Sequence, residues 1–428
     1  MRWSRGVHMN RPDWRLDPYP SRRFPTNRLW RASKMSGAAE VALGHIDAGD
    51  NPTEHFGPRA VWSAIILATF VLMVFLIQPL LIGGLAELGF TETQQGLLAA
   101  ADLLGMAIAS IAGVFWVRRF PWRPTMFAGV VVVICSNLIC IGLSDFASLI
   151  GLRLLSGLGA GSVVVLTMSI ISRTSRPDRN ISFFIAFQIC CQAIGFLLMA
   201  SVVASHGVRS LYYLFAALAA LGSVLIGFIP HGAASEAQDG LESPVVQPVG
   251  RIVLLLILAA IAVFFLAQSA LWAFAERIGS AAGHSVEDVG AVLALSSAFA
   301  FAGALIPGWL DLRFGRAWPI LIAGSAQIVL LTLFQGEMSL TYYAIVFGLF
   351  GLFWNIGIPY QVGVLVSRDR DMRFVALIPA FQGTGLALGP ALAGAFIGIG
   401  SYIAVNIIAG IALLLYMGVI LPFARVKS

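Results

Sequence analysis

The stretch Arg179-Asn-Ile-Ser-Phe-Phe-Ile-Ala-Phe-Gln188 returns 194 residues later as Arg373-Phe-Val-Ala-Leu-Ile-Pro-Ala-Phe-Gln382. Both copies begin with arginine and end with Ala-Phe-Gln. Further pairs recur at offsets of 189 to 195 residues: Ser172-Arg173 with Ser367-Arg368, Gly113 with Gly308, Arg118 with Arg313, and Glu87 with Glu276. The repeat predicts a chain made of two similar halves.

The composition places the chain in a lipid bilayer. Of its 428 residues, 58% are hydrophobic and only 11% are charged, whereas a soluble domain carries roughly 25% charged residues. The four cysteines all lie in apolar stretches, so we interpret them as packed side chains and expect neither a metal nor another cofactor. A nucleophile with a base is also missing at membrane depth, which argues against an enzyme.

The basic residues are concentrated at the start of the chain. Nine of the 27 Lys and Arg residues fall within positions 1–34, against Asp13 and Asp17, while the whole chain has a net charge of +6. The rest is therefore close to neutral, and we expect no nucleic-acid partner. Residues 1–58 are predicted to be a disordered cytoplasmic tail. Met35 is a candidate start, which would leave residues 1–34 non-native; the alternative is a basic arm that contacts anionic lipid.

Twelve apolar segments are long enough to span a bilayer, which needs about 20 residues each. They predict an all-α membrane protein with twelve transmembrane helices in two six-helix bundles related by the internal repeat. The first bundle covers 59–230 and the second 251–428, with a cytoplasmic linker at 231–250. The predicted spans are 61–86, 93–115, 125–144, 148–171, 181–204, 210–229, 252–276, 289–310, 318–336, 340–366 and two within 374–424.

The Lys and Arg residues between the spans predict the orientation. Fourteen of them fall in the loops or tail on the side of the N-terminus, and only Arg209 and Arg277 fall on the other side. Cytoplasmic loops are enriched in Lys and Arg, so both termini are expected in the cytoplasm. The preference for Arg over Lys, 25 against 2, favours a bacterial cytoplasmic (inner) membrane.

Three motifs resemble those of the major facilitator superfamily. The loop after the eighth span carries Gly308, Asp311, Arg313, Gly315 and Arg316, similar to the family's acid and Arg-x-Gly-Arg loop. The fourth span reads Arg153-Leu-Leu-Ser-Gly157-Leu-Gly159-Ala-Gly161, similar to the family's Arg-x-x-x-Gly-x-Gly motif. The eleventh span contains Gly389-Pro390 and Gly394, resembling a Gly-Pro motif that family members carry in the fifth span.

The resemblance implies roles for these residues. The loop would latch the two bundles on the cytoplasmic face in an outward-open state; Asp311 stands one place early, and the first-half copy has Val117 where the acid belongs. For Arg118, Arg119 and Arg123 an ordinary basic loop is the favoured interpretation. The glycines and Pro390 would serve close helix packing.

Asp102 is the most unusual ionisable residue within a span. It lies about nine residues into the second span, where a carboxylate must be neutral, paired or facing water. Pairing with Arg153 in the fourth span would suit it to proton coupling. The alternative is a fixed ion pair that only stabilises the first bundle.

A second set of polar and aromatic residues predicts a solute cavity. Gln268, Trp272 and Glu276 are spaced i, i+4, i+8 and would share one helix face; the alternative is an interfacial tryptophan with a helix-end Glu-Arg pair. Pro359 would free a backbone carbonyl near Asn355, and the resemblance implies that spans one, four, seven and ten line the cavity. The predicted lining residues are Gln78, Gln268, Trp272, Glu276, Trp354, Asn355, Tyr360 and Gln382, with Gln188 and Gln192 as further amides.

These features predict a secondary active transporter that moves a small organic solute by alternating access, coupled to protons. The alternative is a proton-antiporting exporter of drugs or metabolites; a non-transporting sensor is favoured least. A monomer in the lipid bilayer is the expected state. Organic acids and amphipathic aromatic solutes both remain open as substrates.

Overall fold

The computed structural model describes residues 56–117, 119–174, 176–229, 249–334, 336–369, 374–398 and 401–425. The described chain is helical. Its α-helices are α1 Pro58–Val71, α2 Met73–Leu76, α3 Gln78–Glu87, α4 Glu92–Trp116, α5 Trp122–Ile141, α6 Phe146–Ile171, α7 Pro177–His206, α8 Arg209–Ser223, α9 Arg251–Ala273, α10 Ala275–Ala281, α11 Val286–Leu310, α12 Ala317–Leu333, α13 Leu340–Val366, α14 Ile378–Ile397 and α15 Ile403–Ala424. A 3₁₀ turn, Val224–Phe228, extends α8, and another, Val375–Leu377, precedes α14.

The predicted all-helical membrane fold is confirmed. Counting α1–α3 as one interrupted segment and α9–α10 as another gives twelve helical segments in the described ranges. Ten contain a helix long and apolar enough to cross a membrane, and the shorter apolar helices α1 and α12 belong to the other two. The number twelve stays a prediction for those two. Almost all of the predicted tail, 1–58, and linker, 231–250, lies outside the described residues.

The repeat is visible in how the helices begin. Thr91 and Asp145 accept hydrogen bonds from the backbone N–H groups of Gln94 and Ser148, and so cap α4 and α6. Ser285 and Ser339, each 194 residues further on, cap α11 and α13 in the same way. Such caps satisfy N–H groups that have no partner within the helix. The Ser148 hydrogen bonds hold the pKa of the exposed Asp145 carboxyl below its usual range.

The two ends of the helical body differ in charge. We call the end with the loops that precede α4, α6, α11 and α13 the acidic end, because it carries Glu87, Glu92, Asp145, Glu276, Glu287, Asp288 and Glu337. The other is the basic end, with Arg119, Arg123, Arg173, Arg176, Arg313, Arg316 and Arg368.

The first segment is broken near its middle. Helix α2 stops at Leu76, Ile77 leaves helical geometry with φ −114° and ψ 27°, and α3 restarts with Pro79 in its first turn. Proline has no N–H for the carbonyl four residues earlier, which belongs to Phe75. The Trp272 indole Nε1 of the second half donates to that carbonyl at 3.4 Å. The carbonyl that the break leaves without a helical hydrogen bond therefore finds its donor in the other half.

Glycine lets α4 and α6 approach closely within the first half. A Cβ at Gly157 would overlap the backbone of Asp102, and one at Gly105 would overlap the backbone of Leu154. In lipid, helix association depends on this kind of close packing rather than on the hydrophobic effect. Gly159 and Gly161 likewise lie against Gly129 of α5 and Met106 of α4.

The contacts between the halves begin at the acidic end and continue past the middle of α4 and α14, where a Cβ at Gly383 would overlap Ala107. On α4 and α14, Gly96 faces the Pro390 carbonyl and Gly394 faces the Glu92 carbonyl. Thr93 Oγ1 donates to Gly394 O at 3.2 Å. Helices α7 and α11 also pack together, with Gly290 against Ala200 near the acidic end. The halves are therefore joined at the acidic end.

We expect Gly157→Ala to destabilise the protein, because the added methyl group overlaps the backbone of α4 and overpacking costs about 1–3 kcal/mol. Gly151→Ala on the same helix is the matched control, since its Cβ would meet nothing within 4 Å. Melting temperatures in detergent should fall for Gly157→Ala and hold or rise for Gly151→Ala. Equal melting temperatures would contradict the role of Gly157 in helix contact.

Candidate functional site

A cavity of about 280 Å³ lies between the halves, near the middle of the helices. Helix α2 contributes its last residues, Phe75 and Leu76, and α7, α9, α11, α13 and α14 contribute the remaining walls. The predicted residues that line it are Gln268, Trp272, Trp354 and Asn355, together with Gln188 and Gln192. Four phenylalanines, which the sequence did not single out, also line it: Phe75, Phe265, Phe347 and Phe350.

The walls of this cavity carry no Asp, Glu, Lys, Arg or His among the described residues. Its polar groups are the amides of Gln188, Gln192, Gln268 and Asn355, the Ser296 hydroxyl and the indoles of Trp272 and Trp354. The site can therefore hold an apolar or aromatic body and bond a few neutral polar groups. Binding pockets for small molecules commonly combine these features.

Trp272 closes the cavity toward the acidic end. Its ring lies 5.8 Å from Phe196 and 6.4 Å from Trp354 between centroids, both edge-on, and stacks on Phe347 at 6.2 Å. These spacings lie in or near the range in which aromatic pairs attract one another. Together with the hydrogen bond from its Nε1 to Phe75 O, they fix this side chain across the two halves.

The polar side chains of the cavity differ in how many hydrogen bonds they already make within the protein. Gln268 and Gln327 exchange two hydrogen bonds, at 3.1 and 2.8 Å, and both are fully buried. Gln192 donates to the Ser297 hydroxyl at 3.3 Å. The Trp354 indole Nε1, in contrast, has no hydrogen-bond partner within the described ranges. This N–H is buried in the wall, so a solute can accept a hydrogen bond from it only after the neighbouring side chains shift.

Four predicted cavity residues do not line the cavity, which corrects the sequence interpretation. Gln78 is fully buried and donates to Ala99 O at 3.4 Å. Tyr360 donates to the Asp311 carbonyl at 3.1 Å, toward the basic end. Gln382 is half-buried on α14, whose contribution to the wall is Leu386. Glu276 lies beyond the break at Phe274, on α10, where it faces Gly83 of α3 at the acidic end.

Asp102 and Arg153 form an ion pair inside the first half. Arg153 Nη1 lies 3.6 Å from Asp102 Oδ2, and Arg153 is 1% exposed. The guanidinium also donates to Asn137 Oδ1 at 2.8 Å and lies 5.2 Å from the centre of the Tyr212 ring. Neither Asp102 oxygen has a hydrogen bond from the described residues. The pair is separate from the cavity walls.

The predicted latch loop lies at the basic end and makes contacts within the second half. Asp311 adopts a left-handed backbone with φ 50°, and Gly315 follows with φ 64°. The Arg313 guanidinium lies 5.8 Å from the centre of the Trp309 ring. Arg316 packs beside Gly363 of α13, whereas a Cβ at Gly308 would meet nothing within 4 Å. The latch between halves stays a prediction about another conformation.

We expect Arg153→Gln to lower the melting temperature strongly, because it leaves Asp102 buried without its cation. Removing one partner of a buried pair costs about 3–5 kcal/mol. The double variant Asp102→Asn/Arg153→Gln removes both charges and should recover much of the loss. Arg119→Gln, at an exposed arginine of the basic end, controls for lost charge. If Arg153→Gln melted like this control, the pair would not stabilise the fold.

Comparison with known sequences identifies a family. The family model described as the Major Facilitator Superfamily matches residues 61–334. The match covers the first half and the second half as far as Phe334. A search of curated proteins finds no match.

Comparison with solved structures finds the same fold. The human organic anion transporter MFSD10 (TETRAN) superimposes with a TM-score of 0.60. The alignment covers 85% of this chain and 99% of that one, at 16% sequence identity. At that identity the likeness concerns the fold.

Proposed function

Since this chain belongs to the Major Facilitator Superfamily and is a membrane transporter, we propose that it carries a small organic solute by alternating access. The observation that carries the proposal is the central cavity between two halves that are joined at the acidic end. Movement of the halves about the cavity would expose it to each side in turn. The concentration of Arg at the basic end supports a cytoplasmic location for that end.

The cavity supports an uncharged, amphipathic solute with an aromatic or apolar body. An anion buried there would need a cation or several donors to replace its water, and the described walls provide only amides, a hydroxyl and two indoles. The human structural relative is an organic anion transporter, but Arg153, the candidate cation, lies in the first half away from the cavity. This favours the aromatic alternative over the organic acid.

Export is the second candidate for the direction of transport. The apolar, aromatic walls suit a lipophilic solute that partitions into the membrane. Such a solute crosses a bilayer unaided, so a protein is needed to remove it rather than to admit it. The exporter therefore shares the cavity proposed here and differs in that the solute moves against the direction of the coupled protons.

We further propose that Asp102 couples transport to protons. Its ion pair with Arg153 is longer than a direct hydrogen bond, and its oxygens lack other donors within the described chain. A proton on Asp102 would remove its attraction to Arg153. The Arg153 guanidinium would keep its hydrogen bond to Asn137 and its contact with the Tyr212 ring. Because Asp102 and the interface residues Thr93 and Gly96 share α4, a shift of this helix would reach the contact with α14.

We expect neutral aromatic amphiphiles to raise the melting temperature of the purified protein more than organic acids, sugars or amino acids of similar size. Binding to the folded state stabilises it by about 2.7 kcal/mol at a ligand concentration of 100 Kd. Trp354→Phe should weaken binding about 3- to 10-fold through one lost hydrogen bond. Trp62→Phe is the matched control, because Trp62 stacks on Phe183 instead of lining the cavity. A larger shift with organic acids would contradict the proposed solute class.

Asp102→Asn should abolish accumulation driven by a pH gradient but leave solute exchange intact. The asparagine keeps the shape of the side chain and cannot take up or release a proton. Proteoliposomes loaded with the solute of largest thermal shift allow both measurements, with and without an imposed gradient. Unchanged gradient-driven uptake in Asp102→Asn would rule out the proposed coupling residue.

A further inference from the structure

Glu276 is a carboxylate buried where the halves meet at the acidic end. It is 2% exposed, and it lies on α10, directly after the break at Phe274. The opposing residue is Gly83 on α3 of the first half, where any Cβ would occupy the position of the Glu276 carboxylate. The carboxylate therefore fills a space that only a glycine leaves open.

Among the described residues, no cation lies within ion-pairing distance of this carboxylate, although the adjacent Arg277 attracts it electrostatically. The Ser280 hydroxyl donates to Oε1, whereas Oε2 has no hydrogen-bond partner among the described residues. Arg277, the next residue, directs its Nε to the Tyr402 hydroxyl at 3.1 Å. The charged or titratable groups nearby are Glu87 on α3, Arg277 on α10, Tyr343 on α13, Tyr402 before α15, His284 against Tyr343, and the exposed Glu287 and Asp288 at the start of α11.

We propose that Glu276 is a protonation-controlled lock on the acidic end, protonated while it is buried against Gly83 and ionised when the halves part there. Burying an ionised carboxylate without a paired cation is costly, whereas burying the neutral acid, which accepts from Ser280 at Oε1, costs much less. The closed end therefore holds one proton. Opening gives the carboxylate access to water and releases that proton to the solution on this side.

The lock predicts the direction in which pH changes the open-to-closed ratio. Because the open form binds one proton fewer, raising the pH favours opening, by up to tenfold in the open-to-closed ratio per pH unit. Protons on the acidic side promote closure, which would expose the cavity toward the basic end. The inference rests on the proposed alternation of the halves but not on the identity of the solute or on Asp102.

Distances between spin labels on the two halves test the lock without any solute. Leu88 and Glu287 are exposed residues of the acidic end, one in each half. Labels would be attached to Leu88→Cys and Glu287→Cys after replacement of the four native cysteines, and measured in lipid nanodiscs between pH 5 and pH 8. We expect the population at long distance to grow with pH.

Glu276→Gln, which mimics the protonated acid, should keep the short distance at every pH. Glu87→Gln removes an exposed carboxylate of the same end, and His284→Gln removes the nearby imidazole; both should retain the pH dependence. Gly83→Ala is the second test variant, because its methyl group displaces the carboxylate. It should raise the open population at pH 5, where the unmodified lock is closed.

The outcomes separate the lock from the proposed alternation. An unaltered pH dependence in Glu276→Gln, or its loss in His284→Gln, would overturn the assignment to Glu276 while the halves still move. A label pair that never separates, in any variant or at any pH, would contradict the alternation and the lock with it. Melting temperatures of each variant would verify that the compared proteins are folded.

Discussion

The close contact of helix backbones across the two halves is the constraint on which the rest of this structure depends. In lipid, apolar surface alone does not hold helices together, so association relies on close packing and on hydrogen bonds. Gly96 and Gly394 bring α4 and α14 together, Gly290 does the same for α7 and α11, and Thr93 adds a hydrogen bond. Because these contacts lie toward the acidic end, they join the halves there, with the cavity at mid-helix.

The charged groups within the helices do not line the cavity. Asp102 and Arg153 lie inside the first half, Glu276 lies at the junction of the halves, and the described cavity walls carry only neutral groups. In the proposed mechanism a proton therefore influences the solute through the positions of helices rather than by contact with it. Helix α4 would transmit the state of Asp102, and α10 that of Glu276.

The repeat, the spans and the membrane fold followed from the sequence because apolar length and repeated residues are local properties. The residues that line the cavity could be predicted from the sequence only in part. Trp272, Trp354 and Asn355 are predictable from the sequence, because a polar or amphipathic side chain within a span avoids the lipid. Phe265 and Phe347 carry no such signal, since a phenylalanine in a span can face the lipid equally well. The spacing of Gln268, Trp272 and Glu276 does not give the position of Glu276 relative to the cavity, because the helix is interrupted at Phe274 between Trp272 and Glu276. The capping residues repeat at 194 residues, a signal that was present in the sequence.

A reversible cross-link at the acidic end tests the central claim most directly. Thr93 Oγ1 lies 3.0 Å from the position that a Cβ on Gly398 would take, so Thr93→Cys and Gly398→Cys can form a disulfide between the halves. Transport of the solute with the largest thermal shift should cease when the pair is oxidised and return on reduction, while binding from the basic end persists. Undiminished transport by the fully cross-linked protein would contradict the account.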